Sequence, residues 1–139
     1  MHQMLNSLSM LLLRVVFGGI MLTAHGLPKL TSFGKGGEPF ADPLGVGSAT
    51  SLLLAIFAEF FCSILVFLGL GTRLACIPLI ITMLVACVGV HGADSLLAKE
   101  KSILYMAAFT AILINGPGTF SFDQFFWGWM KKRRAKKAA

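Results

Sequence analysis

Arg14 and Glu59 are charged residues that stand inside long apolar runs of this sequence. An ionised side chain at the centre of a membrane span costs about 2.5–3.5 kcal/mol, so such residues usually face inward and find partners. If both helices begin at the same bilayer boundary, Arg14 lies about 9 Å deep and Glu59 about 18 Å deep. A long arginine side chain can span this difference in depth. The sequence therefore predicts a structural ion pair between Arg14 and Glu59.

A second set of polar residues lies towards the opposite boundary. At 1.5 Å per residue, His25 is about 25 Å and His91 about 27 Å from the reference boundary, with Tyr105 slightly lower. Together with Glu59 they are candidate catalytic residues, because a carboxylate and imidazoles can relay protons. Lys29 and His25 at the rim are candidate substrate-binding residues for an anion. The alternatives stay open: a buried pair can serve helix register alone, and the histidines can be interfacial.

Cofactor ligands are less well supported by the pattern. His25 and His91, at similar depth on different helices, resemble the axial ligands of a haem, but lone histidines usually have simpler roles. No further ligand has the spacing of a zinc site, so we expect no metal. Cys62, Cys76 and Cys87 all fall within apolar runs without a Cys-x-x-Cys motif, which indicates packing residues.

The elements that must position these residues are membrane spans. The chain has 139 residues, of which 56% are hydrophobic and 13% charged, and its mean hydropathy is +0.81. Four apolar segments cover residues 8–27, 50–70, 74–90 and 102–114. The first three have the length of about 20 residues that a bilayer demands. We predict an all-α integral membrane four-helix bundle over residues 1–119, which excludes a disordered chain, a soluble nucleic-acid binder and a disulfide-stapled secreted module.

Residues 120–139 are predicted to form a separate amphipathic basic segment at the membrane surface. The formal net charge is +6, and half of the 12 basic residues stand in the last nine positions. Positive residues near a span remain cytoplasmic, and an even number of spans places both termini on one side, so we expect both termini in the cytoplasm. The expected contact is lipid rather than nucleic acid. The predicted interface residues are Trp127, Trp129, Lys131, Lys132, Arg133 and Arg134.

Several short motifs, in order, resemble the DoxX family from about Leu11 to Asp123. They are Arg14, the run from His25 to Leu30, Glu59, the run from Leu68 to Arg73, Gly116-Pro117-Gly118 and Ser121-Phe122-Asp123. The resemblance implies a multi-pass bundle of the bacterial cytoplasmic (inner) membrane. It also implies a link to quinone-coupled oxidation of sulfur compounds (thiosulfate:quinone oxidoreductase) or to complexes that handle oxidative and thiol stress. The positions that match the family pattern, with no catalytic role implied, are Arg14, His25, Lys29, Glu59, Arg73 and Asp123.

Three functions follow as hypotheses. The first is a membrane component of a quinone-linked redox system, an oxidoreductase subunit acting with quinone and a soluble redox enzyme. The second is a non-enzymatic scaffold or assembly factor that binds through its tail and small residues, with a homo-oligomer as one form. The third is a small-solute transporter, which Arg14 disfavours because it would neutralise a cation site at Glu59. Whether the protein is an enzyme stays open at this point.

Overall fold

The computed structural model describes residues 1–35 and 39–138, and within them the structure is all-helical. Helices α1 (His2–Ser32), α2 (Ser48–Leu68) and α3 (Thr72–Val90) are each long and apolar enough to cross a membrane. Two more helices follow, α4 (Leu96–Asn115) and α5 (Phe122–Ala138). The described residues contain no strand, so the predicted all-α class is confirmed.

Helix α4 differs from the three candidate spans. Its first turns carry Lys99, Glu100 and Lys101, and only the part after them is continuously apolar. That part is shorter than the length of about 20 residues that a bilayer demands. The structure therefore supports three candidate spans, and a fourth span remains a prediction.

The first four helices pack as an antiparallel bundle. Each packs against the next in sequence, and α4 also packs against α1. Fully buried residues from all four helices form one core: Met21, Val66, Leu79, Phe109 and Ile112. The outward faces carry exposed large apolar side chains, such as Leu12, Phe61 and Ile114. This is the arrangement expected of helices surrounded by lipid.

Four stretches of the spans are π-helical, with hydrogen bonds from residue i to i+5. They are Arg14–Gly18, Met21–Gly26, Phe57–Cys62 and Ala86–Val90. Such stretches are rare and frequently occur at functional sites. Three of them contain the candidate residues Arg14, His25 and Glu59, and His91 directly follows the fourth. Hydropathy periodicity could not have revealed them, because the apolar runs are continuous.

Close contacts at two glycines determine how α1 sits against α2. A Cβ atom at Gly26 would lie 2.3 Å from the Glu59 carbonyl oxygen, and one at Gly18 would lie 3.3 Å from the Phe67 nitrogen. Gly26 is therefore level with Glu59. Arg14 precedes Gly26 by 12 residues, which separates it from the level of Glu59 by about 18 Å.

The two ends of the bundle have different structures. At the turn end, Gly69 (φ 77°) and Gly71 (φ 52°) make the tight left-handed turn between α2 and α3. The Asp123 carboxylate accepts hydrogen bonds from the Gly71 N–H (2.7 Å) and from the Thr72 N–H (3.1 Å) and hydroxyl (3.0 Å). These bonds cap α3 and attach the start of α5 to the turn. At the opposite end, here called the loop end, residues 39–47 and 91–95 connect the helices.

Candidate functional site

The Lys29–Glu59 ion pair is the centre of the candidate site. The Lys29 ammonium, near the end of α1, donates to the Glu59 carboxylate on the π-helical stretch of α2. Glu59 is only 5% exposed. Its burial follows from the close approach of α1 at Gly26, where a side chain would collide with the α2 backbone. The two helices thus bring together a lysine and a carboxylate that are 30 residues apart in sequence.

Arg14 has a different set of partners, so the predicted Arg14–Glu59 ion pair is wrong. The buried guanidinium lies at the turn end and donates to four backbone carbonyl groups. These belong to Val66 (3.1 Å), Phe67 (3.3 Å), Phe120 (3.0 Å) and Pro117. Carbonyl groups at the C-terminal end of a helix lack intrahelical donors and carry partial negative charge, which suits a cation. The predicted pairing failed because the register of α1 on α2 places Arg14 too far from Glu59.

An apolar cavity of about 480 Å³ lies beside the Lys29–Glu59 pair, between α2 and α3. Its wall is formed mostly by aliphatic and aromatic side chains, among them Leu54, Phe57 and Ile81. The few polar groups that converge on it are those of Lys29, Ser51, Glu59, Thr82 and His91. A mostly apolar cavity of this size with a few placed polar groups is typical of small-molecule sites.

The structure divides the predicted catalytic cluster into two parts. His91 lines the cavity together with Glu59 and Lys29, and its Nδ1 lies 2.8 Å from Asp94 Oδ2. The lining includes neither His25 nor Tyr105. Those two rings contact each other edge to face, with centroids 5.6 Å apart and an interplanar angle of 86°. The four residues that helix depth places in one cluster thus lie in two places. Glu59 and His91 are at the cavity, whereas His25 and Tyr105 form an aromatic contact between α1 and α4.

Residues 39–47 cover the cavity at the loop end, a role that sequence reasoning missed. Phe40, Pro43 and Leu44 line the cavity from this side. The segment is held by Asp42, whose carboxylate accepts hydrogen bonds from the Ser51 hydroxyl (2.7 Å) and from two main-chain N–H groups. The Ser51 bond is the main reason that the pKa of Asp42 lies below its usual value.

The sequence contains a pattern that predicts an ordered structure for residues 39–47. Asp42 is followed by Pro43, Gly45 and Gly47 just before an apolar helix. Asp side chains in such turns accept hydrogen bonds from the backbone a few residues on, which predicts a structured entry into α2. Here the Asp42 carboxylate accepts from the N–H groups of Val46 (3.0 Å) and Gly47 (2.7 Å).

The remaining predicted site residues lie elsewhere. Within residues 1–35 and 39–138, no group of three or more His, Cys, Asp or Glu side chains is close enough to hold a metal ion. Cys62 and Cys76 are free and buried in the helix core, and Cys87 is free and half-buried. Their placement agrees with the packing role expected of them.

The predicted interface residues lie on α5. Trp127, Trp129 and Lys131 are exposed, and the Arg133 guanidinium stacks 3.9 Å above the Trp129 ring. The side chains of Lys132 and Arg134 lie outside the described part of the chain. This arrangement of aromatic and basic groups is typical of a helix at lipid headgroups, and that role stays a prediction.

Comparison with known proteins relates the chain to one family. A family model described as DoxX matches residues 9–92. No curated protein and no solved structure shows a significant match. The matched region includes most of α1 and all of α2 and α3, with Arg14, Lys29, Glu59 and the residues around the cavity. With more than half of its length matched, the chain belongs to the DoxX family.

Proposed function

We propose that this protein is the membrane component of a quinone-linked redox system and that a quinone headgroup binds in the cavity beside Lys29 and Glu59. The observation that carries the proposal is a buried ion pair in the wall of an apolar cavity of about 480 Å³. The DoxX family is associated with thiosulfate- and quinone-linked oxidation, which supports the same class of reaction. A flat, mostly apolar ring with two carbonyl oxygens fits such a lining.

The residues of this chain supply protons and hydrogen bonds to the reaction. A quinone becomes a quinol when each of its two carbonyl oxygens gains a proton as the ring gains two electrons. The Lys29 ammonium donates a proton to one carbonyl oxygen and becomes a neutral amine. The Glu59 carboxylate then takes up a proton from solvent and passes it to the Lys29 amine, which restores the ammonium for the second protonation. The electrons come from a reduced sulfur compound, which is oxidised in the same step. A partner protein or the sulfur compound itself delivers them to the ring.

Equilibrium binding of a decyl-substituted benzoquinone to the protein in lipid nanodiscs tests this function. Glu59→Gln and Lys29→Met each remove one charge-assisted hydrogen bond, so we expect affinity to fall by about tenfold. The matched controls, Glu100→Gln and Lys101→Met, change exposed residues at the same end of the bundle and should bind as the parent does. Equal affinities in all four variants would overturn the proposal.

A double variant keeps this test independent of folding. Lys29→Met leaves the buried Glu59 carboxylate without its partner, which destabilises a protein by about 3–5 kcal/mol. The Lys29 side chain is 24% exposed, so Glu59→Gln should cost less. Lys29→Met combined with Glu59→Leu removes both charges, and such apolar replacements are often neutral for stability. A folded double variant that still binds the quinone at parental affinity also contradicts the proposal.

We further propose that α4 is the fourth span and that the turn end faces the cytoplasm of a bacterium. Arg73 lies at the turn end, and Asp123 attaches the start of α5, the helix that carries the basic residues, to the same end, which agrees with the preference of positive residues for the cytoplasmic side. Cysteines introduced at Ser9 and at Leu44 should react with a membrane-impermeant thiol reagent from opposite sides of sealed vesicles. Labelling of both from one side contradicts the topology.

The exposed aromatic face of α5 favours a second candidate, a scaffold that docks a soluble redox enzyme. Asp123 attaches the start of α5 to the turn end, so the helix begins from a fixed position on the bundle. Affinity capture with the full chain and with residues 120–139 deleted tests this role. An unchanged set of captured redox proteins contradicts the scaffold.

A further inference from the structure

Residues 39–47 form the wall of the cavity at the loop end. Phe40, Pro43 and Leu44 form that wall. Asp42 binds the segment to Ser51 at the start of α2. Pro43 packs directly on Gly89 of α3, where an added Cβ would lie 2.8 Å from the Pro43 Cβ. The segment therefore bridges both helices at this end of the cavity.

The side of the cavity between α2 and α3 has the opposite character. Leu54 and Phe57 of α2 and Ile81 of α3 line the cavity and are nevertheless 51%, 53% and 54% exposed. Residues that both line a cavity and reach the outer surface mark an opening, and Leu44 and Val90 at the loop end are also exposed lining residues. The opening formed by Leu54, Phe57 and Ile81 is the one that reaches the level of Glu59. All three side chains are apolar, so this opening faces an apolar environment.

The depth of the opening places it within the membrane. Glu59 and Ile81 each lie 11 residues from Leu70 in the tight α2–α3 turn, so they are level with each other. That distance corresponds to about 16 Å of helix, whereas the hydrocarbon core of a bilayer is about 30 Å thick. The gap between the two helices thus opens to acyl chains rather than to water.

We propose that the ligand of this cavity enters sideways from the bilayer, through the gap between α2 and α3, rather than from the loop end, where residues 39–47 form the wall. The ligand class is a membrane-dissolved amphiphile whose carbonyl-bearing headgroup meets the Lys29–Glu59 pair and whose long apolar chain leaves through the gap. The identity of the headgroup rests on the proposed function, whereas the route of entry rests on the shape of the cavity alone.

A cysteine placed in the cavity tests the route. Thr82 lines the cavity and is half-buried. The labelling rate of Thr82→Cys in a Cys87→Ala background therefore measures how fast a thiol reagent reaches the cavity. The probes are a maleimide with a long alkyl chain, dissolved in nanodisc lipid, and a charged thiosulfonate, dissolved in water. The same two reagents applied to the Cys87→Ala chain give the background rates of Cys62 and Cys76.

Two tryptophan variants at the helix surface distinguish the opening from its surroundings. Ile81→Trp obstructs the gap and should slow the alkyl maleimide roughly fivefold, the effect expected when a ligand must displace one side-chain rotamer. Ile77→Trp is the matched control, because Ile77 is exposed one turn away and does not line the cavity. Its labelling rate should equal that of the parent. Equal rates in both variants would overturn sideways entry.

A third variant examines the loop end. Asp42→Asn weakens the attachment of residues 39–47, so we expect faster labelling by the charged thiosulfonate and an unchanged rate for the alkyl maleimide. If each labelling rate is divided by the rate of the same reagent with a free thiol in solution, a charged reagent that is still the faster one in the parent shows an aqueous entrance, which overturns the proposal.

Protection by ligand separates this inference from the proposed function. Decyl-benzoquinone in the nanodisc should slow alkyl labelling of Thr82→Cys by occupying the cavity. If labelling proceeds through the gap but the quinone gives no protection, the quinone function fails and sideways entry stands. If the quinone protects but Ile81→Trp has no effect, the function stands and sideways entry fails.

Discussion

The two charged regions of the bundle are satisfied in different ways. At the turn end, Arg14 donates to four carbonyl groups, Arg73 donates to the Ile114 carbonyl, and Asp123 accepts from the start of α3. Towards the loop end, Lys29 and Glu59 bond to each other beside a cavity. Charges bound to backbone serve the fold, because backbone groups must find partners in any case. The Lys29–Glu59 pair has further hydrogen-bond donors and acceptors beside a cavity, so it is available to a ligand.

The largest expected effect is the loss of Arg14. Arg14→Leu removes the side-chain donor to four carbonyl groups at the turn end, of which that of Val66 keeps a second donor, the Gly69 N–H. We therefore expect a loss of about 3–5 kcal/mol, as for other disrupted buried charge networks. Thermal unfolding in detergent measures it. Arg73→Leu is the control, because Arg73 is exposed and should change stability by less than about 1 kcal/mol. Similar stabilities for the two variants would contradict the role of the buried Arg14 in stabilising the turn end.

Gly26→Ala should damage the loop-end region next most strongly. The added Cβ would lie 2.3 Å from the Glu59 carbonyl oxygen, so α1 must move away from α2. Overpacking of this kind costs about 1–3 kcal/mol, and it also displaces Lys29 from Glu59. The stability against unfolding and the affinity for decyl-benzoquinone should therefore both decrease. Gly19→Ala, whose Cβ meets its nearest neighbour at an ordinary 3.5 Å, should alter neither.

Asp123→Ala should have a moderate effect at the turn end. It removes the acceptor at the start of α3, and lost helix caps of this kind cost about 0.5–2 kcal/mol. The two tryptophans of the chain, Trp127 and Trp129, both lie on α5. Their fluorescence quenching by brominated lipid should therefore change as α5 loses its attachment. Parental quenching together with parental stability would show that the cap is dispensable.

The smallest expected effect is the pH dependence of residues 39–47. The pKa of Asp42 is lowered in the folded protein, mainly by the Ser51 hydrogen bond. The carboxylate therefore stabilises the segment above the unfolded pKa of about 3.9, and this contribution disappears as pH falls through the folded value. Amide exchange at Val46 and Gly47, compared with Asp42→Asn at each pH, should converge with that variant only in acid. Identical exchange in the two proteins at neutral pH would contradict this role.

Sequence reasoning predicted the helices well and the side-chain pairs less well. Composition and apolar run length were sufficient for an all-α chain with candidate spans, and ordered motifs were sufficient for the DoxX family. The Arg14–Glu59 pair was wrong because helix depth was counted from assumed starting points. The register of α1 on α2 depends on where Gly18 and Gly26 allow α2 to approach. This register cannot be obtained by counting residues along the chain.

The sequence by itself determined that this protein is an apolar helical chain of the DoxX family with isolated charges in its spans. These properties follow from local residue type, since hydropathy and helical length act along one segment at a time. Only the tertiary structure decided that Lys29 is the partner of Glu59 and that residues 39–47 cover a cavity beside it. Those contacts join segments far apart in the chain, and their formation depends on backbone approach and π-helical turns that appear once the helices pack.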